Sequence, residues 1–224
     1  MNILSNKPIL AVETSGELCS AAVYYNEHKF SEVNLCLKNI HSEKIIDIVD
    51  QALKFVDIIS LDGLSAIAVS SGPGSFTGLR IGMSAVKGLA SGGNLPVIAV
   101  PTFEALALRV FSYIPCGSEL VIANKVNIEE VYYASFRKTE TAYETIDKLR
   151  VIKAAECSAL CEDKIYKSGN FFSSQSIGVF GNISGPSAVS IAKWAYIFGK
   201  DLLTFDYDFM EPNYLKNFII KEPK

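Results

Sequence analysis

The sequence predicts an α/β protein of two lobes, each built on a mixed sheet, with the second lobe reduced. Apolar residues alternate along the first strands, and after Asn39 the period lengthens to 3.6. A glycine-rich turn, "SSGPGSFTGLRIG" from Ser70 to Gly82, joins an apolar run to a helix. The succession of three strands, helix, strand, helix then recurs in weaker form through the second half.

The elements follow in order. Ile9 to Glu13 is a short apolar run, Cys19 to Tyr25 its β-prone partner, and Lys29 to Leu37 a third strand turned through Asn26-Glu27. Ile45, Val49, Ala52 and Val56 recur at helical spacing, with Ser42 as the expected N-cap. Ala66 to Ser70 is a strand, the glycine turn opens a helix, Leu95 to Val100 is a strand, and Pro101-Thr102 starts a helix through Phe111. Ser112 to Ser118 reads as the connection, dividing the chain into lobes 1–114 and 115–224. Beyond it, Leu120–Asn124, Val131–Phe136 and Thr145–Ile152 read as strands and Ala154–Cys161 as a short helix. Gly178–Gly181 is a further strand, and Pro186–Phe198 an amphipathic helix.

With 224 residues, 49% of them hydrophobic, the chain can bury one large core or two small ones. A net charge of −3 is wrong for a strong nucleic-acid binder. No apolar stretch approaches the roughly 18 residues that span a bilayer, and polar Glu13-Thr14-Ser15 comes too early for a signal peptide. Five scattered cysteines without a C-x-x-C pair fit buried or incidental thiols in a reducing compartment. The expectation is a cytoplasmic protein.

The glycine turn is neither a Walker A loop, since G-K-[ST] is absent, nor G-x-G-x-x-G, since Thr77 stands at the third glycine. Two readings stay open: a tight turn with Ser75 capping the next helix, or a cradle for phosphate. In that helix Phe76, Leu79, Met83, Val86 and Ala90 form a core-facing stripe, and Gly78, Gly82, Ala85 and Leu89 a second stripe about a quarter turn away. Each helical glycine costs near 1 kcal/mol relative to alanine. Close approach of another element would compensate, whether from the same chain or from a partner. The Ile45 helix is apolar over about half its circumference, Ile46 and Phe55 included, broader than one sheet face needs. The expected partner interface is therefore Ile45, Val49, Ala52, Val56, Gly78, Gly82, Ala85 and Leu89.

"SSGPGSFTGLRIG" resembles the signature of the bacterial TsaB family, formerly grouped with glycoprotease-like sequences. "ILAVETSGELCSAAV" is similar to the family's opening strand pair, "HSEKII" to the start of its first helix, and "EPNYLKN" to its C-terminal element. The resemblance implies a two-lobed actin-like/Hsp70-like (ribonuclease H-like) fold. It implies a non-catalytic subunit in the synthesis of N6-threonylcarbamoyladenosine at tRNA adenosine 37. That subunit would pair with the transferase TsaD through two helices from each protein, here 42–57 and 76–91, with the TsaE ATPase joining. Transfer RNA would be reached only through the complex, and the isolated chain could pair with itself as a homodimer. Where the family carries an Asp-x-Arg element, alignment on Val131-Tyr132 puts Lys125 and Asn127 here.

The alternative is an autonomous enzyme of the same fold, a kinase or ATPase or a glycoprotease-like hydrolase. Glu13, Thr14 and Ser15 stand where such folds place their first phosphate turn, and Gly181 in "GNISGPS" could border an adenosine. ATP or ADP, at most at the interface with TsaD, is the cofactor to test for. Against turnover, Asn124-Lys125 offers magnesium no carboxylate. Against metal hydrolysis, His41 is followed at the next turn by Ile45 and only His28 remains. No catalytic residue and no metal ligand is expected, and His41 should start a helix.

Overall fold

The structure is a computed structural model that describes residues 7–172 and 177–215. β1 (Ile9–Glu13), β2 (Cys19–Asn26) and β3 (Lys29–Leu35) form an antiparallel meander. β4 (Ala66–Gly72) and β5 (Val97–Pro101) add in parallel beyond β1, giving the order β3-β2-β1-β4-β5. The second half repeats this arrangement strand for strand. β6 (Glu119–Lys125), β7 (Glu130–Lys138) and β8 (Tyr143–Lys153) are its meander. β9 (Tyr166–Ser168) and β10 (Val179–Phe180) are its parallel extension, in the order β10-β9-β6-β7-β8. This duplicated topology is the two-lobed actin-like, ribonuclease H-like fold. The reduction falls on the parallel strands, which are 3 and 2 residues long in the second sheet against 7 and 5 in the first. β9 is absent from the sequence reading because three residues cannot display a period.

Five helices make three layers around the two sheets. α1 (His41–Lys54) and α2 (Phe76–Gly93) cover one face of the first sheet, where Leu10 and Val12 of β1 meet Ile48, Met83 and Val86. The alternate β1 residues, Ile9 and Ala11, face a central layer of α3 (Thr102–Phe111) and α5 (Ala188–Phe198). Leu120 and Ile122 of β6 close that layer from the other side, while Val121 and Ala123 face α4 (Ala154–Leu160). The alternation is the pleat expressed as packing. Between two sheets α3 has no solvent side for most of its length, and eight of its ten residues are buried. The central layer's polar members are paired: Trp194 Nε1 donates to Glu104 Oε2 at 2.9 Å, and the Tyr143 hydroxyl donates to the same oxygen.

Two local expectations meet different fates. Ser75 is the N-cap of α2, accepting from the Gly78 amide at 3.2 Å. Ser42 is not the N-cap of α1: Ile40 takes that place without a side-chain bond, and Ser42 lies in the first turn.

Gly78 and Gly82 of the small-residue stripe on α2 are explained within the chain, the first of the two alternatives that the sequence left open. A Cβ on Gly78 would stand 2.0 Å from the Thr14 carbonyl oxygen, and one on Gly82 2.3 Å from Thr14 Oγ1. Thr14 Oγ1 in turn donates to the Gly78 carbonyl at 2.7 Å. The helix lies against the end of β1 at a separation that only missing side chains permit. Gly88, farther along α2, meets nothing within 4 Å among the described residues. Gly78→Ala should therefore destabilise by at least the roughly 1–3 kcal/mol of ordinary overpacking. Gly88→Ala should instead gain ~0.5–1 kcal/mol from helix propensity. Chemical denaturation of both variants checks the pair, and equal effects would remove Thr14 as the reason.

Candidate functional site

Two surfaces meet at the N-terminal end of α2: a cleft between the sheets, and an apolar groove between α1 and α2.

The cleft is built on the turn after β1. Glu13, 1% exposed, accepts through Oε1 from the backbone amide and the hydroxyl of Ser15, both at 2.5 Å. The Ser15 carbonyl accepts from the Ser75 amide at 2.7 Å, clipping the turn to the N-cap of α2. Glu13 Oε2 and the Ser70 hydroxyl of β4 are buried without a hydrogen-bond partner among the described residues. Burial pushes the Glu13 carboxyl up to about 7, against the opposing pull of the Ser15 hydrogen bonds and of Arg109. At neutral pH the group is thus poised between a carboxylate and an acid whose Oε2 can donate.

The cleft itself measures about 450 Å³, with Ser15, Gly16, Gly74 and Ser75 on one wall and Asn124, Lys125, Asn170 and Ser184 on the other. Asn124 ties the second wall together. Its amide donates to the Ser184 carbonyl at 2.8 Å and its Oδ1 accepts from the Asn170 backbone at 2.8 Å. Glu17 and Lys125 are the charged lining residues.

Of the four residues expected at a nucleotide, Ser15 alone lines this cleft. Glu13 and Thr14 are buried, their side chains turned to Ser15 and Gly78. Gly181 follows β10, the edge strand two places from β6, so it does not reach the wall that β6 supplies. Ser184, three residues on, does. Asn127 is likewise spent locally: its Oδ1 accepts from the Glu129 and Glu130 amides and its amide donates to Glu130 Oε2. His41 begins α1 with Nε2 3.2 Å from the Leu18 carbonyl, and His28 is exposed in a hairpin turn. Among the described residues no three His, Cys, Asp or Glu side chains gather to hold a metal.

The groove is open, mostly apolar and about 630 Å³, with Ser42, Ile45 and Ile46 on α1 facing Phe76, Arg80, Ile81 and Ala85 on α2. At its mouth Arg80 stacks on the Phe76 ring at 4.0 Å and donates through Nε to the Tyr214 hydroxyl at 3.1 Å. The expected interface residues divide here. Ile45, Val49 and Ala52 are core residues, 2%, 2% and 0% exposed, and Val56 and Leu89 pack half-buried against the same core. Ile45 and Ala85 border the groove, and Gly78 and Gly82 face Thr14. The sequence reading put the partner on the middle of each stripe, which the first sheet already occupies. Ile46 (52% exposed), Ile81 and Arg80 line the groove, though the sequence reading did not name them among its interface candidates. The signal for Ile46 was present in the surplus width of the apolar arc, because a single sheet leaves the edge of an over-wide stripe uncovered.

The family model for TsaD, tRNA N6-adenosine threonylcarbamoyltransferase, matches residues 36–184. The tRNA threonylcarbamoyladenosine biosynthesis protein TsaB of Haemophilus influenzae is 28% identical, over 96% of this chain and 95% of that protein. The protein of the same description from Escherichia coli is 33% identical, over 59% of this chain and 56% of its own length. The structure of YeaZ from Pseudomonas aeruginosa superimposes with a TM-score of 0.76 at 24% identity, covering 93% of this chain and all of that one, which shows a shared fold.

The Glu13 carboxyl makes stability depend on pH. Its ordinary value is 4.5 and its folded value about 7. Below 4.5 both folded and unfolded states hold the proton; between 4.5 and 7 the unfolded state releases it first, and stability falls until the folded group also ionises. Glu13→Gln keeps an acceptor for Ser15 and never ionises. It should leave melting at acid pH little changed and raise it at pH near 8, by at most about 3 kcal/mol. Calorimetry at the two pH values checks this; the same shift at both would show that ionisation is not the cause.

Proposed function

Since the chain belongs to the tRNA N6-adenosine threonylcarbamoyltransferase family, we propose that it serves threonylcarbamoyladenosine synthesis as a TsaB-type, non-catalytic subunit. Its task is to bind a TsaD homologue and hold it ready for transfer to adenosine 37 of tRNA. The observation that carries this reading is the groove. Ile46, Ile81 and Ala85 leave an apolar seam between two neighbouring helices. A pair of helices from the partner fits such a seam as a four-helix contact. Arg80 and Tyr214 give its mouth a polar edge, as rims of specific interfaces have. The TsaE ATPase joins the paired subunits, tRNA is reached through them, and ATP or ADP is taken at the junction if at all. The cytoplasm is where this work is done; among the described residues no helix is long and apolar enough to cross a membrane.

The cleft supports the second reading, a nucleotide-using enzyme, through one feature: the N-terminus of α2 opens into it beside Lys125. Titration of ADP into the isolated chain and into the paired subunits separates a site in this cleft from one made at the junction.

Val49 and Gly82 are poor probes of pairing because both are internal. Ile46→Asp and Ser84→Arg change exposed positions that line the groove. Each should melt like the parent chain and bind purified TsaD homologue at least about tenfold more weakly, a loss of ~1.4 kcal/mol or more. Size-exclusion chromatography and calorimetry read the loss, and reconstituted tRNA modification should fall with it. Folded variants that pair at parental affinity would move the partner elsewhere, and self-association lost in both would reveal a homodimer through the same seam.

A further inference from the structure

Cys157 on α4 and Cys161 at its C-cap lie one helical turn apart, with their sulfurs 3.8 Å from each other. Both are reduced and buried, 0% and 2% exposed, against Val121, Val131 and Tyr133, with Phe171 and Phe172 packed alongside. Helix geometry sets α-carbons four residues apart at about 6 Å, inside the roughly 4.4–6.8 Å that disulfides span. Closing the sulfurs to about 2 Å asks for side-chain rotation and a small shift at the helix end, not for movement of the sheet. The two thiols are also unlike. Lys167 and Lys164, the latter held by Glu119 at 2.8 Å, favour the Cys161 thiolate, which also accepts the Cys157 S–H. Cys157, beside Glu156 and donating to its neighbour, keeps its proton.

We propose that Cys157 and Cys161 form a reversible redox dithiol, closed to a disulfide by hydrogen peroxide or an organic hydroperoxide and reopened by a dithiol reductant. The Cys161 thiolate attacks one peroxide oxygen. The O–O bond breaks, water leaves with a proton, and Cys161 becomes a sulfenic acid. The Cys157 sulfur then attacks that sulfur, the S–O bond breaks, and the departing hydroxide takes the Cys157 proton as a second water. Two thiols are oxidised by two electrons, and one peroxide is reduced, hydrogen peroxide to two waters or an organic hydroperoxide to an alcohol and one water. A small peroxide reaches sulfurs this enclosed more readily than a bulky disulfide oxidant does. The site lies close behind the cleft: the Phe171 amide donates to the Ala123 carbonyl at 3.2 Å, and its neighbour Asn170 lines the cleft wall.

The test uses the full chain with exposed Cys36 and Cys116 replaced by serine, so that the buried thiols are read alone. After peroxide treatment of the folded protein and alkylation, mass spectrometry should find the peptide carrying both cysteines lighter by two hydrogen atoms, and restored by dithiothreitol. In that background Cys157→Ser should trap a dimedone-reactive sulfenic acid at Cys161, whereas Cys161→Ser should leave Cys157 unlabelled. Thiols that stay reduced under native conditions and oxidise only in denaturant would overturn the proposal, as would labelling of Cys157 in the absence of Cys161. The disulfide measurement alters neither buried position, so it holds however the single variants fold.

Discussion

The approach of α2 to the end of β1 is the constraint on which the rest depends. Two glycines set one turn apart on a helix present bare backbone to Thr14, so the helix axis settles closer to the strand end than side chains allow. That closeness sets three things at once. It brings Ser75 to the Ser15 carbonyl, fixing the turn that floors the cleft. It places Ser75 and Phe76, at the start of α2, on the wall of that cleft. It also leaves the neighbouring edge of the helix, with Ile81 and Ala85, bordering the groove beside α1. Glycine's propensity cost in α2 is thus offset by a hydrogen bond from Thr14 and by packing, not by a second subunit.

Glu13 shows a different compromise in the same place. Burying a carboxyl is costly, and its two short bonds from Ser15 only partly compensate, so the group retains a raised affinity for a proton. A hydrophobic residue there would pack without that cost but would release Ser15 and with it the turn. The buried acid serves geometry, by holding the chain where β1 ends and the second lobe begins to face it. It is therefore a structural member of the cleft and not a group presented to its contents.

The two surfaces differ in kind. The cleft lies between the two lobes and mixes polar with apolar lining, and on one wall Asn124 is already bonded to Asn170 and Ser184. The groove is apolar and open, with its aromatic and guanidinium groups gathered at one end. A surface of the second type loses more by facing water, which is the physical reason to look there for the proposed partner.

The lobes and nearly all their elements could be read from the sequence because period and turn chemistry are local properties: β1 to β8 and all five helices announce themselves within their own residues. β10 was read within Gly178–Gly181, but β9 was not, since a strand of 3 residues exists only through its pairing with β6 and β10. The glycine turn was legible as a strand–turn–helix junction, and the over-wide face of α1 as a surplus of apolar surface. How much of that surplus is free was a tertiary decision. Ile45 and Val49 lie on the same arc as Ile46, yet the first sheet covers the first two and stops short of the third. In the same way the small face of α2 declared that something approaches closely, while only the folded chain could say that the visitor is Thr14. A periodic pattern specifies which side of a helix avoids water, and the three-dimensional arrangement of its neighbours determines how much of that side remains for another protein.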